Sequence, residues 1–265
     1  MNKKAAAVIG ILIVIIIGIS GAYYISLKKQ PIVNAVQTNG DKTMDTRETQ
    51  ADQEVKQHLS EQMEVLNIYK SDGNKTAYLT FDDGPSPDVT PEILAVLNKN
   101  KINASFFVIG NLAEKRADLV KEEAAEGNKI YNHTYSHVYK NIYTSPQSFI
   151  DDVNKCDEVL KNILGSTYKS KIIRFPGGSF GNKLGPYRDA ISKAGYAYID
   201  WNALNGDAES SNPSSEKLIQ RLKETAKGEH IVVLMHDATG KQCTARALQQ
   251  IIDYLKAEGY TFKTL

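Results

Sequence analysis

The chain has 265 residues, 42% of them hydrophobic and 24% charged, with a formal net charge of +1. That length holds one sizeable domain with appendages, and so even a charge balance argues against nucleic acid as a partner. The two cysteines, Cys156 and Cys243, are too few for a metal cluster; they are read as free or structural, and whether they pair is left open.

Residues 5–27 depart from this average composition. No charge falls between Ala5 and Ser20, and Tyr23 and Tyr24 supply interfacial aromatics before Leu27. As a helix rising about 1.5 Å per residue, the run is long enough for a hydrocarbon core of about 30 Å. Lys3 and Lys4 also suit the start of a cleaved signal peptide, but the apolar run is longer than a usual signal core and no A-x-A site follows. The expectation is an uncleaved single-pass helix over residues 1–29. Lysines at both ends (Lys3, Lys4, Lys28, Lys29) leave the orientation to be inferred from function.

Residues 30–74 read as linker and stalk. Residues 30–50 are polar without a hydrophobic period, whereas Val55, Leu59, Met63 and Leu66 recur at helical spacing. His58 stands alone there and is read as solvated.

Beyond Lys75, β-type runs alternate with amphipathic ones. Strands are expected at 78–81, 105–109, 129–132, 172–175, 197–201, 231–235 and 261–264, and helices at 91–100, 112–126, 146–164, 185–194, 214–226 and 244–258. Thr90 before Pro91 offers an N-cap. Such alternation predicts parallel β/α units, in an open sheet or a barrel. No Gly-x-Gly-x-x-Gly follows the first strand and no phosphate loop appears, so no nucleotide cofactor is expected.

Polar clusters fall at the carboxyl ends of these strands, where β/α folds do their chemistry. The first strand ends in Thr80-Phe81-Asp82-Asp83-Gly84-Pro85. Successive side chains at a strand end point apart, so one carboxylate is available to a metal and the other to a proton; a plain solvated turn is the competing reading. After the third strand come His133 and His137, four apart and, on a helical turn, facing the same way. With Asp83 they make a two-histidine, one-carboxylate set. Arg174 ends the fourth strand, placed to orient a carboxylate, and Gly177 and Gly178 let backbone N–H groups approach a substrate oxygen. Trp201 ends the fifth strand, Asp207 lies in the loop beyond it, and His236 ends the sixth. A tryptophan there is a sugar platform or a core residue, and the histidine a general acid or a satisfied buried residue.

These five stretches, in this order, resemble the polysaccharide deacetylases, carbohydrate esterases of family 4 with the NodB homology domain, over residues 75–265. The peptidoglycan N-acetylglucosamine deacetylases are the nearest type. The resemblance implies a distorted (β/α) barrel of about seven parallel strands as the catalytic domain, and a metal-dependent hydrolase acting on N-acetyl groups. It implies a divalent metal, most often zinc, on Asp83, His133 and His137. Asp82 matches the catalytic base, Arg174 its orienting partner, His236 the acid and Asp207 the acid's carboxylate. Trp201 matches a pocket wall and the Gly177 N–H an oxyanion donor. The chain departs from the family's common residues at Gly177, Tyr131, Leu204 and Ala208, which bears on substrate preference.

The expected protein is thus a monomer at the cell membrane with its catalytic domain outside, acting on an N-acetylated polysaccharide. Peptidoglycan N-acetylglucosamine is the preferred substrate. Chitooligosaccharides, N-acetylmuramic acid residues and acetylxylan stay open, as does a catalytically silent glycan-binding module.

Overall fold

The computed structural model describes residues 67–265 without a break, and upstream of them Ser60, Met63, Val65 and two strands, β1 (Val14–Ile17) and β2 (Tyr23–Ile25). Two compact units result, Met1–Arg47 and Glu48–Leu265. In the first, β1 and β2 pair antiparallel. This corrects the expectation of one continuous helix over 5–27 wherever that stretch is described; its other residues lie outside the described ones. Val14, Ile15, Ile16 and Ile17 are consecutive β-branched residues, stiff at χ1 and well accommodated in extended backbone. Among the described residues no helix is long and apolar enough to cross a membrane.

The second unit is built on a curled parallel sheet. Its strands are β3 (Thr76–Asp82), β4 (Ser105–Val108), β5 (Lys129–Asn132), β6 (Ile172–Ile173), β7 (Ala197–Tyr198), β8 (Ala203–Leu204), β9 (His230–His236) and β10 (Thr261–Phe262). Seven of them follow the path β7-β6-β5-β4-β3-β9-β8, and β10 pairs with the start of β3. Every expected strand is present, and the short β8 is an addition. β7 and β8 are the two ends of the path, so the half-barrel stays open between them. β3 and β9 form its centre, in register from Thr76 opposite His230 to Asp82 opposite His236. Both faces of β3 are buried along its whole length, as a central parallel strand requires.

Helices α1 (Thr90–Asn100), α2 (Gly110–Lys115), α3 (Ala117–Ala125), α4 (Tyr139–Ile142), α5 (Pro146–Leu164), α6 (Gly185–Lys193), α7 (Ser215–Thr225) and α8 (Gln242–Ala257) connect the strands. α5 has the expected bounds. Ser145 caps it by accepting from Ser148 N, and Phe149, Val153, Cys156 and Leu160 form its buried stripe. The helix expected over 112–126 is instead two, α2 and α3, divided at Arg116 (φ −134°, ψ 45°). No Gly or Pro marks that break, so periodicity runs straight through it. Thr90 is not an N-cap either: Val89 precedes the helix, and the Thr90 hydroxyl is taken up by Ser86 N and Asp237.

One sheet face packs under the helices, with Leu79, Phe81, Val233 and Met235 against Leu248, Ile251 and Ile252 of α8. The other face lines the barrel interior, where Tyr78, Phe107, Tyr131, Ile199 and Val232 meet Leu265 and Ile68, with Trp201 at the margin. Ile68 is only 5% exposed. A residue read as stalk thus belongs to the interior of this unit. Cys156 and Cys243 are both buried and free.

Candidate active site

The carboxyl end of β3 decides where the first two acidic groups go. Asp83 has φ +72°, a left-handed conformation uncommon outside glycine. That turn sends the neighbouring carboxylates to different partners. Asp82, 3% exposed, accepts from Arg174 Nη1 through Oδ1 at 2.8 Å. Asp83 Oδ1 lies 3.4 Å from His133 Nε2 and 3.2 Å from His137 Nε2.

The two histidines meet by a different route from the expected helical turn. Residues 133–138 are a non-helical loop in which Thr134 (φ +66°) and His137 (φ +54°) are left-handed. Side chains hold this backbone: Asn132 Oδ1 accepts from Thr134 N at 2.9 Å, and Asp152 Oδ1 accepts from Tyr135 N at 2.7 Å and Ser136 N at 2.9 Å. The imidazole centroids end 4.9 Å apart. His133 Nδ1 is 2.9 Å from the Arg174 carbonyl, so its proton belongs there and Nε2 is left as a lone pair towards Asp83.

Ligand atoms of Asp83, His133 and His137 lie within 4.8 Å of one another. Asp83 Oδ1 is buried without a hydrogen-bond donor, a costly arrangement for a carboxylate that nothing coordinates. Two imidazoles and one carboxylate with further positions open are the donor set of a catalytic divalent-metal site, so these residues fit the implied metal. Their electrostatics agree. Burial raises the Asp83 carboxyl, but the close approach and charge of His133, then the charge of His137, hold it well below the ordinary range. Burial lowers His133, and the charges of Asp82 and Asp83 more than offset this; His137 is pulled down by burial and by the charge on His133. The pair resists taking up two protons, while the carboxylates favour a cation.

Arg174 is fully buried, with every nitrogen engaged. Nη1 also donates to Thr80 Oγ1 (2.7 Å), Nε to the Ile199 carbonyl (3.1 Å) and Nη2 to that of Asp200 (3.2 Å), and the guanidinium lies 4.0 Å from the centre of the Phe107 ring. Such saturation is what makes an interior charge tolerable. The Asp200 carboxylate turns the other way, to Ser179 N (2.8 Å) and Ser179 Oγ.

Across the β3–β9 pairing, His236 Nδ1 lies 2.7 Å from Asp207 Oδ1, and Asp207 Oδ2 accepts from His236 N (2.7 Å) and Thr244 Oγ1 (2.6 Å). Burial disfavours charge on both. The mutual hydrogen bond and attraction win, raising the imidazole to about 9 and holding Asp207 below the ordinary carboxylate range. Its neighbour Asp237 is fully buried, accepts from Thr90 Oγ1, and is pushed up to about 7 by burial, with the Asp83 charge adding to it.

Thus Asp82, Asp83, His133, His137 and Arg174 form one connected cluster, and His236 with Asp207 a second, joined to it by the strand pairing. Gly177 and Gly178 (φ +78° and +84°) make the turn beyond β6, and half-buried Trp201 sits between β7 and β8. Sequence reasoning gave no role to Thr80, Asp200 or Thr244, whose only signal is being a short polar side chain near a motif, or to Asp152, which lies within α5 away from any motif.

Comparison with known proteins bears on the same residues. Residues 69–199 match the family described as polysaccharide deacetylase. A peptidoglycan-N-acetylglucosamine deacetylase of Bacillus cereus is 32% identical over 72% of this chain and 86% of its own. A chitooligosaccharide deacetylase of a Bradyrhizobium species is 28% identical over 73% of this chain and 90% of its own. The structure of a Streptococcus mutans CE4 esterase superposes with a TM-score of 0.69 at 33% identity, covering 77% of this chain and 90% of that one.

Proposed function

This chain belongs to the polysaccharide deacetylase family, hydrolases of the N-acetyl amide bonds of glycans, and from that premise we propose that it deacetylates peptidoglycan N-acetylglucosamine outside the cell. The observation that carries the reading is the meeting, across adjacent strands, of a clamped carboxylate and a carboxylate-paired histidine. Asp82 is fixed by Arg174 and His236 by Asp207, beside a three-ligand metal set.

Asp83, His133 and His137 would hold a divalent ion, with zinc the best match to two imidazoles and a carboxylate. When bound, such an ion polarises an acyl oxygen and acidifies water. Asp82 Oδ2, the oxygen opposite the Arg174 contact, receives the proton that water loses as its oxygen bonds to the acetyl carbon. The Gly177 N–H is the proposed donor to the developing oxyanion, and Trp201 the wall beside the acetyl group. As the C–N bond breaks, His236 passes its Nε2 proton to the sugar nitrogen, and acetate and a free amine result. Asp207 keeps that imidazole charged and its tautomer fixed.

Peptidoglycan is favoured because the relative named for it is more similar than the relative named for chitooligosaccharides. Chitooligosaccharide, acetylxylan and a silent glycan-binding role are the alternatives. The apolar run at 5–27 supports attachment to the cell membrane, and a wall polymer beyond it supports an outward-facing catalytic unit. Measuring acetate released from purified cell wall, chitooligosaccharides and acetylxylan tests the reading. Preferential release from cell wall is expected, and no release from any of them overturns it.

A further inference from the structure

The segment upstream of β3 is fastened to the catalytic unit at several points, and one of them reaches the arginine network. Ile68 is buried, and His230 at the start of β9 grips the chain beside it: Nδ1 donates to the Ile68 carbonyl at 2.8 Å, and Nε2 lies 3.1 Å from Asp72 Oδ1. Asp72 Oδ1 also accepts from Asn74 N at 2.9 Å, and the Ser71 hydroxyl donates to Glu229. A stretch expected to be the end of a linker therefore has a fixed path along the unit, and Tyr69 lies within it.

Tyr69 is 42% exposed, so burial of its ring contributes little, and the bond made by its hydroxyl is its specific contact. That hydroxyl donates to the Asp200 carbonyl at 3.1 Å, and the same oxygen accepts from Arg174 Nη2 at 3.2 Å. Phenol and guanidinium thus converge on one acceptor. Residues 199–202 join β7 to β8, the strands between which the sheet stays open. Ile199 N is bonded to the Ile173 carbonyl and Asn202 N to that of Val232; between them, Tyr69 braces Asp200 from outside the sheet. Arg174 leans on this stretch through Nε and Nη2, while its Nη1 holds Asp82 Oδ1 at 2.8 Å. A guanidinium is planar and moves as one body, so a shift of the Asp200 carbonyl also swings the nitrogen that faces Asp82.

Resting on the deacetylase reading above, we propose that Tyr69 is a positioning residue for the reaction: it holds the Asp200 carbonyl, and through it the Arg174 guanidinium, where Asp82 is correctly aimed. The segment upstream of β3 then supplies part of the active site's support as well as filling the barrel. The test uses the full chain and compares Tyr69→Phe, which deletes only the hydroxyl, with Ser71→Ala, which loosens the same segment away from the arginine. Acetate release is followed on whichever of cell wall, chitooligosaccharide and acetylxylan the unaltered protein turns over best. Tyr69→Phe should lower kcat ~10-fold, well within what a misplaced group costs, with KM, metal content and the urea midpoint unchanged. Ser71→Ala should leave kcat as it is. In an Arg174→Lys background Tyr69→Phe should lower kcat no further, because the link it acts through is gone. One readout needs no turnover: by NMR of isotope-labelled arginine, the Arg174 guanidinium protons should exchange faster with solvent in Tyr69→Phe. An unchanged kcat or unchanged exchange in Tyr69→Phe, an equal loss in Ser71→Ala, or a full further loss in the Arg174→Lys background overturns the proposal. Faster exchange in a protein that releases no acetate from any glycan keeps the tie between Tyr69 and Arg174 and overturns the hydrolytic reading instead.

Discussion

Asp82 and Asp83 adjoin in sequence, yet a left-handed backbone at Asp83 gives their carboxylates separate partners. Asn at position 82 still accepts from Arg174 but takes up no proton. Asp82→Asn should therefore keep its metal content while kcat falls by ~10²–10⁴, the usual worth of a general base; loss of metal would reassign Asp82 as a ligand. The second pair makes a pH prediction. His236 is raised to about 9, so its acid form is present below that pH and is lost as pH rises through it. The same sign holds for stability: the contribution of the raised imidazole is full at the ordinary histidine value of about 6.5 and gone above about 9, and the pair is lost again in acid as the lowered Asp207 carboxyl takes up its proton. Asp207→Asn removes the partner, and the alkaline limb of the rate profile on an N-acetyl sugar should move to lower pH. An unmoved limb would show that another group supplies the proton.

At the scale of elements, the loop after β5 does what a helical turn was expected to do. Histidines four apart are brought together by Thr134 and His137 in left-handed conformations and by Asp152 of α5, which accepts from two loop N–H groups. Asp152 touches no proposed ligand side chain, but it fixes the backbone that carries them. Asp152→Ala should lower metal affinity by about 10–100-fold, the range for lost outer partners of a metal site, and competition with a chelator measures it. An unchanged affinity would mean the loop is held by its ends alone.

For the catalytic unit as a whole, the open side of the half-barrel matters most. β7 and β8 do not pair, and the interior is filled from the chain upstream of β3, by Ile68 beside Phe107, Tyr131 and Leu265. Tyr69 continues the contact, its hydroxyl donating to the Asp200 carbonyl, which Arg174 also engages. Ile68→Ala should cost about 2–5 kcal/mol by urea unfolding, as for a truncated core side chain, whereas a residue in a solvated stalk would cost close to nothing.

The sequence by itself determined the β/α alternation, the bounds of α5 and the strand-end positions of Asp82, Asp83, Arg174 and His236, because hydrophobic period and polar residues at strand ends are local signals. It also carried enough of the family's motifs, in order, to identify the reaction class. It did not show the break at Arg116, the displaced cap at Thr90 or the strands within 5–27, since in each the local preference admits more than one backbone. Nor did it show that Thr80, Asp200 and Thr244 hold the site, or that Ile68 fills the interior of the open half-barrel. Those partners lie far apart in the chain, and only the tertiary structure brings them within hydrogen-bond or packing distance, where a buried polar group must be matched and an open barrel filled.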